Sequence, residues 1–246
     1  MEFYFIRHGQ SENNANTNNP EYIESPDPEL TEKGLEQASI LALYLKNRQA
    51  IANFEGWNDQ NQYGFGLTHM YSSLMVRAVG TGYPAASSLG LPLTAWRDIF
   101  EEGGIYSRTD KDLQAGLPGK NRAYFENRFP QFKLPEELDG AGWWNRPFEE
   151  KNERQPRADQ FFADLLKDHQ DQPGRDAHRV AIFSHGGFFM RLMCTMLAIP
   201  WRKAGRDLSS WFFLNNASIS RFDISNGELT VRYINRTDHL PPSLIT

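Results

Sequence analysis

Short hydrophobic runs alternate with longer segments of helical periodicity along this chain of 246 residues. A continuous apolar run that stops at glycine or polar residues indicates a buried strand. Such runs predict strands at 3–6, 69–73, 91–96 and 179–184. Alternating residues at 218–224 and 228–234, around Ser225-Asn226-Gly227, predict a closing hairpin.

Between these strands, apolar residues recur at the spacing of one helix face. Thr31 is the expected N-cap of the first helix, and a second helix is expected over 77–88. The three clearest stripes are Leu35, Ala38, Leu41, Ala42 and Leu45; Ala158, Phe161, Phe162, Leu165 and Leu166; and Phe189, Leu192, Met193, Met196 and Leu197. Polar, proline- or glycine-containing stretches at 13–29 and 53–66 predict loops.

Alternating strands and helices predict an α/β fold. We expect a three-layer sandwich, in which helices cover both faces of a mostly parallel sheet, formed by one domain over 1–246. With 39% hydrophobic residues, the chain has enough apolar surface for such a core.

Periodicity fails in a segment at about 103–153, where aromatic residues mix with glycine, proline and charges of both signs. We expect this segment to be an insertion into the domain. Two interpretations remain open for it. It is either a lid over a pocket or a structural excursion that packs its own small aromatic cluster, with Trp143 and Trp144 as packing residues.

Composition excludes several classes of protein. The net charge of −5 argues against a nucleic-acid binder, which needs a clustered basic surface. No apolar run approaches the roughly 18 residues that span a bilayer. Glu2 precedes only four apolar residues, unlike a secretory signal, so a cytoplasmic protein is expected. Cys194 is the single cysteine, which leaves no internal disulfide.

Two of the expected strands end at a histidine followed by glycine. The strand at 3–6 is followed by Arg7, His8 and Gly9, and the strand at 179–184 is followed by His185 and two glycines. Ligands of open α/β sheets bind beyond the carboxyl ends of the strands, where helix N-termini favour anions. Arginine adds a planar donor suited to phosphate oxygens. The pattern therefore predicts a site for phosphate or another oxyanion that contains two histidines.

Several segments in order resemble the histidine phosphatase superfamily, the phosphoglycerate mutase-like proteins. They are RHGQSENN (7–14), LTEKG (30–34), YSSLMVRA (71–78), IFSHGG (182–187), LNNASISRFD (214–223) and NRTDHLP (235–241). Leu74 departs from the proline usual in that family. The resemblance covers the core from both ends and is weakest between 105 and 150.

The resemblance implies a role for each matched residue. His8 would be the nucleophile that forms a phosphohistidine, and Arg7, Asn14, Arg77 and His185 would bind the phosphate. Cationic neighbours disfavour protonation of His8, which keeps its attacking nitrogen free.

The leaving group needs a proton, and IFEEGGIY (99–106) offers two adjacent carboxylates. The resemblance favours Glu101 as the proton donor, with Glu102 as the less favoured alternative. Successive side chains of an extended segment face opposite ways. Glu102 is therefore expected to face solvent or to pair with a base.

No cofactor or metal is required by this chemistry, because two arginines supply the positive charge that a metal would bring. The six histidines lack HExxH or another ligand spacing. We accordingly interpret His69, His169 and His178 as structural or surface residues.

The leading functional hypothesis is a metal-independent phosphatase that hydrolyses a small phosphorylated metabolite through phosphohistidine. A phosphoglycerate mutase is the alternative enzyme, although 103–150 lacks the arginine- and proline-rich insert of such mutases. The alternative of another class is an inactive relative that serves as a protein-binding module.

Overall fold

The computed structural model describes residues 1–49, 58–108, 114–170, 177–200 and 212–246. The strands are β1 (Glu2–Arg7), β2 (His69–Ser72), β3 (Leu93–Ala95), β4 (Tyr106–Arg108), β5 (Gln114–Gly116), β6 (Phe132–Lys133), β7 (Arg179–Ser184), β8 (Ile219–Ser225) and β9 (Glu228–Arg236). The helices are α1 (Glu12–Ala15), α2 (Glu32–Asn47), α3 (Val76–Leu89), α4 (Arg122–Arg128), α5 (Lys151–Asp168) and α6 (Gly186–Met196). A short 3₁₀ helix, Pro242–Leu244, follows β9.

A seven-stranded sheet of order β6-β3-β2-β7-β1-β8-β9 forms the centre of the molecule. The five strands from β6 to β1 pair in parallel, whereas β8 and β9 pair antiparallel at the other end. This mixed, mostly parallel sheet confirms the predicted α/β class. The predicted hairpin is also confirmed, with Asn226 and Gly227 both at positive φ in its turn, as a tight two-residue hairpin requires.

The sheet has a hydrophobic layer on each face, as the alternation along β1 shows. Tyr4 and Ile6 point into one layer with residues of α2 and α3. Phe3 and Phe5 point into the other layer, with residues of α5 and α6. Since successive strand residues face opposite sides, a fully buried strand must be apolar throughout. The three-layer sandwich is therefore confirmed.

Helix α2 begins where the sequence predicted, because the Thr31 hydroxyl accepts a hydrogen bond from the Gly34 amide at 3.0 Å. Its buried face differs from the predicted stripe at one position. Leu35 is 51% exposed, and Gln37 is buried among the apolar residues instead. The Gln37 side-chain amide donates to the Leu244 carbonyl at 2.6 Å. This hydrogen bond satisfies the buried polar group, so Gln37 rather than Leu35 lies on the buried face of α2.

Helix α5 begins seven residues before the predicted stripe and contains Pro156. The additional turns are polar, which hid them from an analysis of hydrophobic periodicity. At 18 residues, α5 is the longest helix in the described ranges. Neither α5 nor any other described helix is both long and apolar enough to cross a membrane.

The segment at 103–153 has regular structure that the sequence did not reveal. Strands β4 and β5 form a hairpin, and β6 joins the edge of the main sheet beside β3. Trp143 and Trp144 are each only 2% exposed, and the Trp144 ring lies 4.7 Å from that of Phe100. Five described aromatic residues thus extend the main core, namely Phe125, Phe129, Phe132, Trp143 and Trp144. Tyr106 and Phe148 pack against each other instead. Of the predicted loop at 53–66, residues 53–57 lie outside the described part of the chain.

The first turn of α2 packs directly against the backbone that follows β1. A Cβ atom on Gly34 would overlap the carbonyl oxygen of Gln10, and one on Gly9 would lie 2.7 Å from the Gly34 oxygen. No side chain fits between these backbones.

We expect Gly34→Ala to lower the free energy of unfolding by about 1–3 kcal/mol, because the added methyl group overpacks the contact. It should also reduce catalytic turnover, since the displaced loop carries His8. Urea denaturation measures the first effect. Gly140→Ala is the matched control, because a Cβ there meets no atom within 4 Å. Equal stability of the two variants would contradict this account.

Candidate active site

His8 and His185 meet where β1 and β7 end. The two strands pair in parallel with Arg7 opposite Ser184, so the residues that follow them lie side by side. Their ring centroids are 5.1 Å apart, and both side chains are buried. The structure therefore brings together the two histidines that the sequence singled out.

The His8 ring is fixed by two hydrogen bonds. Its Nδ1 lies 2.7 Å from the Gly9 carbonyl oxygen, which can only accept, so Nδ1 carries the proton. Its Nε2 accepts from Nε of Arg77 at 3.2 Å. Burial, followed by the charges of Arg77 and Arg7, lowers the pKa of His8 well below its usual value. His8 is thus a neutral imidazole whose unprotonated Nε2 accepts the Arg77 Nε–H bond. Nε2 can attack another atom once Arg77 donates that N–H to a different acceptor.

Arg77 is buried and Arg7 is half-buried, and each retains an N–H group that lacks an acceptor in the described structure. Arg7 donates from Nη1 to the Leu214 carbonyl, but its Nε has no hydrogen-bond partner there. Nη1 of Arg77 likewise lacks one. Buried donors are almost always satisfied in proteins. The two guanidinium groups therefore offer places for the oxygens of an anion.

His185 is held by Ser73, whose hydroxyl lies 3.0 Å from Nε2. Its Nδ1 is buried and has no partner among the described residues. Burial, Arg77 and His8 lower the pKa of His185 well below the usual value, so this ring is neutral as well. Ser73 was not identified from the sequence, because its contact with His185 links segments 112 positions apart.

Asn14 lies beside the same loop, in the single turn of α1. Its side-chain oxygen accepts from the Ser11 amide at 3.3 Å and from Nδ2 of Asn216 at 3.1 Å. Asn216 also donates to the His8 carbonyl at 3.0 Å. Because the oxygen of the Asn14 amide is engaged within the protein, its nitrogen is the group available to a phosphate.

The two adjacent glutamates point in different directions. Glu101 reaches the N-terminus of α6, where its Oε2 accepts from the Gly187 amide at 3.2 Å. Glu102 turns away and pairs with Arg154 at 2.6 Å and with Arg191 at 2.5 Å. A Cβ on Gly187 would overlap the Glu101 carboxylate. Glycine at that position therefore lets Glu101 lie against the helix end.

Arginines of α5 hold the segment that carries Glu101. Arg157 binds the buried Glu149 through Nε and Nη2, at 2.5 and 3.0 Å, and donates to the Asp98 and Phe100 carbonyls. Glu149 in turn accepts from the Gly103 amide at 3.1 Å. These residues were not identified from the sequence, since the polar start of α5 gave no apolar stripe.

An open cleft of about 630 Å³ leads to Arg77 and Glu101. Residues between 19 and 28 form one wall, and Met75 and Tyr106 lie on the cleft as well. From the segment at 103–153, the cleft-lining residues in the described structure lie near its start, at 104, 106 and 107. The loop after α1 therefore lines more of this cleft than the described part of the segment at 103–153 does.

Asp27 is a buried acid of that loop which the sequence analysis missed. Its Oδ1 accepts from the Val76 amide at 3.1 Å, at the start of α3, and lies 3.7 Å from Nη1 of Arg77. Burial raises the pKa of Asp27 to about 7, although Arg77 opposes the shift. Asp27 therefore positions Arg77 and attaches the loop to α3.

The sequence of the chain matches the model of the histidine phosphatase superfamily (branch 1) over residues 3–56 and 59–237. The chain therefore belongs to the histidine phosphatase superfamily. No protein with curated annotation gives a significant sequence match.

Solved structures share the fold at low sequence identity. A mycobacterial glucosyl-3-phosphoglycerate phosphatase, solved with VO3, is 18% identical with a TM-score of 0.58, over 96% of this chain and 99% of that one. A phosphoserine phosphatase from Entamoeba histolytica, solved with 3-phosphoglyceric acid, is 20% identical with a TM-score of 0.57, over 98% and 99%.

The raised pKa of Asp27 has a defined effect on stability. In the pH range between its unfolded value and about 7, the folded state binds the additional proton. Stability attributable to Asp27 is therefore present at low pH and is lost as the pH rises through 7.

We expect wild-type protein to lose stability relative to Asp27→Asn by about 1 kcal/mol per pH unit from about pH 5 to about pH 7. Urea denaturation at several pH values measures the difference. Asp139→Asn, which removes one formal charge at an exposed position, is the matched control. A constant difference between wild type and Asp27→Asn would contradict the placement of a protonated Asp27.

Proposed function

We propose that this protein is a metal-independent phosphomonoesterase that acts through a phosphohistidine at His8 on a small phosphorylated metabolite. One observation carries the proposal. The His8 Nε2 carries no proton and accepts from Arg77, while the buried Nε of Arg7 and Nη1 of Arg77 each lack a hydrogen-bond partner in the described structure. Membership of the histidine phosphatase superfamily supports the same class of reaction.

In the first step, the phosphate group lies between Arg7 and Arg77. The Arg77 Nε–H bond passes from Nε2 of His8 to a phosphate oxygen, and the released Nε2 lone pair attacks phosphorus. A neutral nucleophile avoids the repulsion that an anion would meet at a phosphate dianion. The bond from phosphorus to the ester oxygen breaks, and Glu101 gives that oxygen a proton. Phosphorylation leaves the His8 ring cationic, and its Nδ1–H bond to the Gly9 carbonyl becomes a stronger, charge-assisted bond.

In the second step, water attacks the phosphohistidine. The Glu101 carboxylate takes a proton from the water, phosphate leaves, and His8 returns to its neutral form. Arg7, Arg77 and His185 stay on the phosphoryl oxygens in both steps. Donors that are already in position need no reorganisation during the reaction, which is the main source of electrostatic catalysis.

The cleft supports a substrate of modest size. Beyond Arg77 and Glu101 it presents both apolar and polar groups, including Met75, Tyr22 and Tyr106. The structural neighbours described above carry the names of phosphatases of small phosphorylated compounds. We therefore propose a phosphorylated metabolite, whose non-phosphate part contacts the loop between 19 and 28.

A rapid-quench experiment with phosphorus-labelled substrate tests the intermediate. We expect one label per chain that is stable in alkali and lost in acid, as a phosphoramidate is, and we expect His8→Ala to carry none. The reaction should release free phosphate and continue in EDTA. Acid-stable label on serine or threonine would overturn the mechanism, and an isomerised phosphate ester as the only product would favour the mutase.

The proton donor is tested by comparing two leaving groups. We expect Glu101→Gln to slow hydrolysis of an alkyl phosphate by about 100-fold or more, because a basic leaving oxygen needs a general acid. Hydrolysis of p-nitrophenyl phosphate should be affected far less, since its leaving group is stable as an anion. Steady-state kinetics on both esters measure the ratio.

Glu102→Gln is the matched control for that experiment. It removes the charge paired with Arg154 and Arg191, so it should lower stability while affecting both esters to the same degree. A leaving-group-dependent defect in Glu102→Gln, with none in Glu101→Gln, would move the acid to the neighbouring residue.

A further inference from the structure

Three histidines meet at the N-terminal ends of β2 and β7, whereas His8 follows the C-terminal end of β1. His69 is the first residue of β2, His178 immediately precedes β7, and His169 caps the C-terminus of α5. One nitrogen from each ring lies within 4.8 Å of the other two. The six residues of β7 separate His178 from His185, which places the cluster roughly 20 Å from the active site.

The nitrogens of this cluster face one another closely. Nδ1 of His169 and Nδ1 of His178 are 2.9 Å apart, and the His69 ring lies 4.7 and 4.5 Å from their respective ring centres. Two imidazole nitrogens at this distance must share a single proton or a common cation, because two N–H groups would repel.

The remaining nitrogens of two of these rings are held by hydroxyl groups. Thr68 accepts from the Arg179 amide at 2.9 Å and donates to the Arg179 carbonyl at 3.1 Å. Its hydroxyl can therefore only accept from Nδ1 of His69, 2.8 Å away. That bond fixes the proton on Nδ1 and leaves the Nε2 lone pair of His69 free.

Tyr71 supports the buried ring of His169 in the same way as Thr68 supports His69. Its hydroxyl lies 3.2 Å from Nε2 of His169, which leaves Nδ1 directed at the partner histidine. Metal-binding histidines characteristically use their second nitrogen in such a bond, which sets ring orientation and tautomer. The cluster thus has both the ligand nitrogens and the supporting hydrogen bonds of a metal site.

We propose that His69, His169 and His178 bind one divalent transition-metal ion of the Zn²⁺ class, with a fourth position for water. Neutral imidazole nitrogens suit Zn²⁺, Cu²⁺ and Ni²⁺, whereas Mg²⁺ and Ca²⁺ require oxygen ligands. The ion would join the end of α5 to the starts of β2 and β7. It therefore stabilises the fold and takes no part in the reaction at His8.

Calorimetric titration of EDTA-treated, dialysed protein with Zn²⁺ tests the site. We expect one equivalent to bind and the midpoint of thermal unfolding to rise. Co²⁺ should give the visible absorption of a four-coordinate ion with nitrogen ligands. The double variant His69→Gln/His178→Gln should lose this binding, and its folding in the absence of metal is checked by circular dichroism.

Two further variants complete the experiment. Thr68→Val should weaken Zn²⁺ binding by about 10- to 100-fold, as expected when a supporting hydrogen bond is lost. His8→Ala should bind Zn²⁺ like wild type, which distinguishes the cluster from the histidine pair of the active site. The proposal is overturned if the wild type binds no Zn²⁺, if His8→Ala loses the binding, or if the double variant keeps it.

Discussion

The parallel pairing of β1 with β7 is the interaction on which the candidate site depends. Its register places Arg7 opposite Ser184, so that His8 and His185 emerge at the same level of the sheet. A shift by one residue would turn one of the two strands over and send its side chains to the opposite layer. Phe3, Tyr4, Phe5 and Ile6 prevent that shift, because each is packed in one of the two cores.

The site is organised around positive charge that has only partial compensation. Arg77 is buried and Arg7 is half-buried, and the acids that act on their charges are Glu101 and Asp27, of which Asp27 holds its proton up to about pH 7. Buried cations without full pairing are unfavourable in the unliganded protein. In the proposed reaction, a phosphate dianion relieves that cost. The arginine charges that act with burial to keep His8 neutral then also favour the substrate.

Local sequence patterns were sufficient for six of the seven strands of the main sheet and for most of the described helices, but not for β6. The strand that ends at His8 and the strand that ends at His185 were predictable, because apolar runs and glycines are local signals. The predicted buried Leu35 was wrong, since Gln37 finds a backbone partner near the C-terminus. The predictions for helix α5 and for the segment at 103–153 were incomplete for a related reason. Their structure depends on arginine–carboxylate pairs and aromatic contacts that hydrophobic periodicity does not record.

Residues that orient another side chain could not be predicted from the sequence. Asp27 and Ser73 act on side chains far away in sequence, and nothing in their own segments marks them. The same limit explains the three-histidine cluster. His69 lies about 100 positions from its partners, so no ligand spacing was visible and the three were interpreted as structural or surface residues.

A proton–nitrogen correlation spectrum of the His8 ring tests the central claim most directly, namely that this residue is a preformed neutral nucleophile. His8→Ala identifies its signals by their loss. The geometry requires a ring protonated on Nδ1 alone, whose nitrogen chemical shifts stay those of a neutral imidazole between about pH 6 and pH 8. A cationic ring at neutral pH, or a proton on Nε2, would contradict the account.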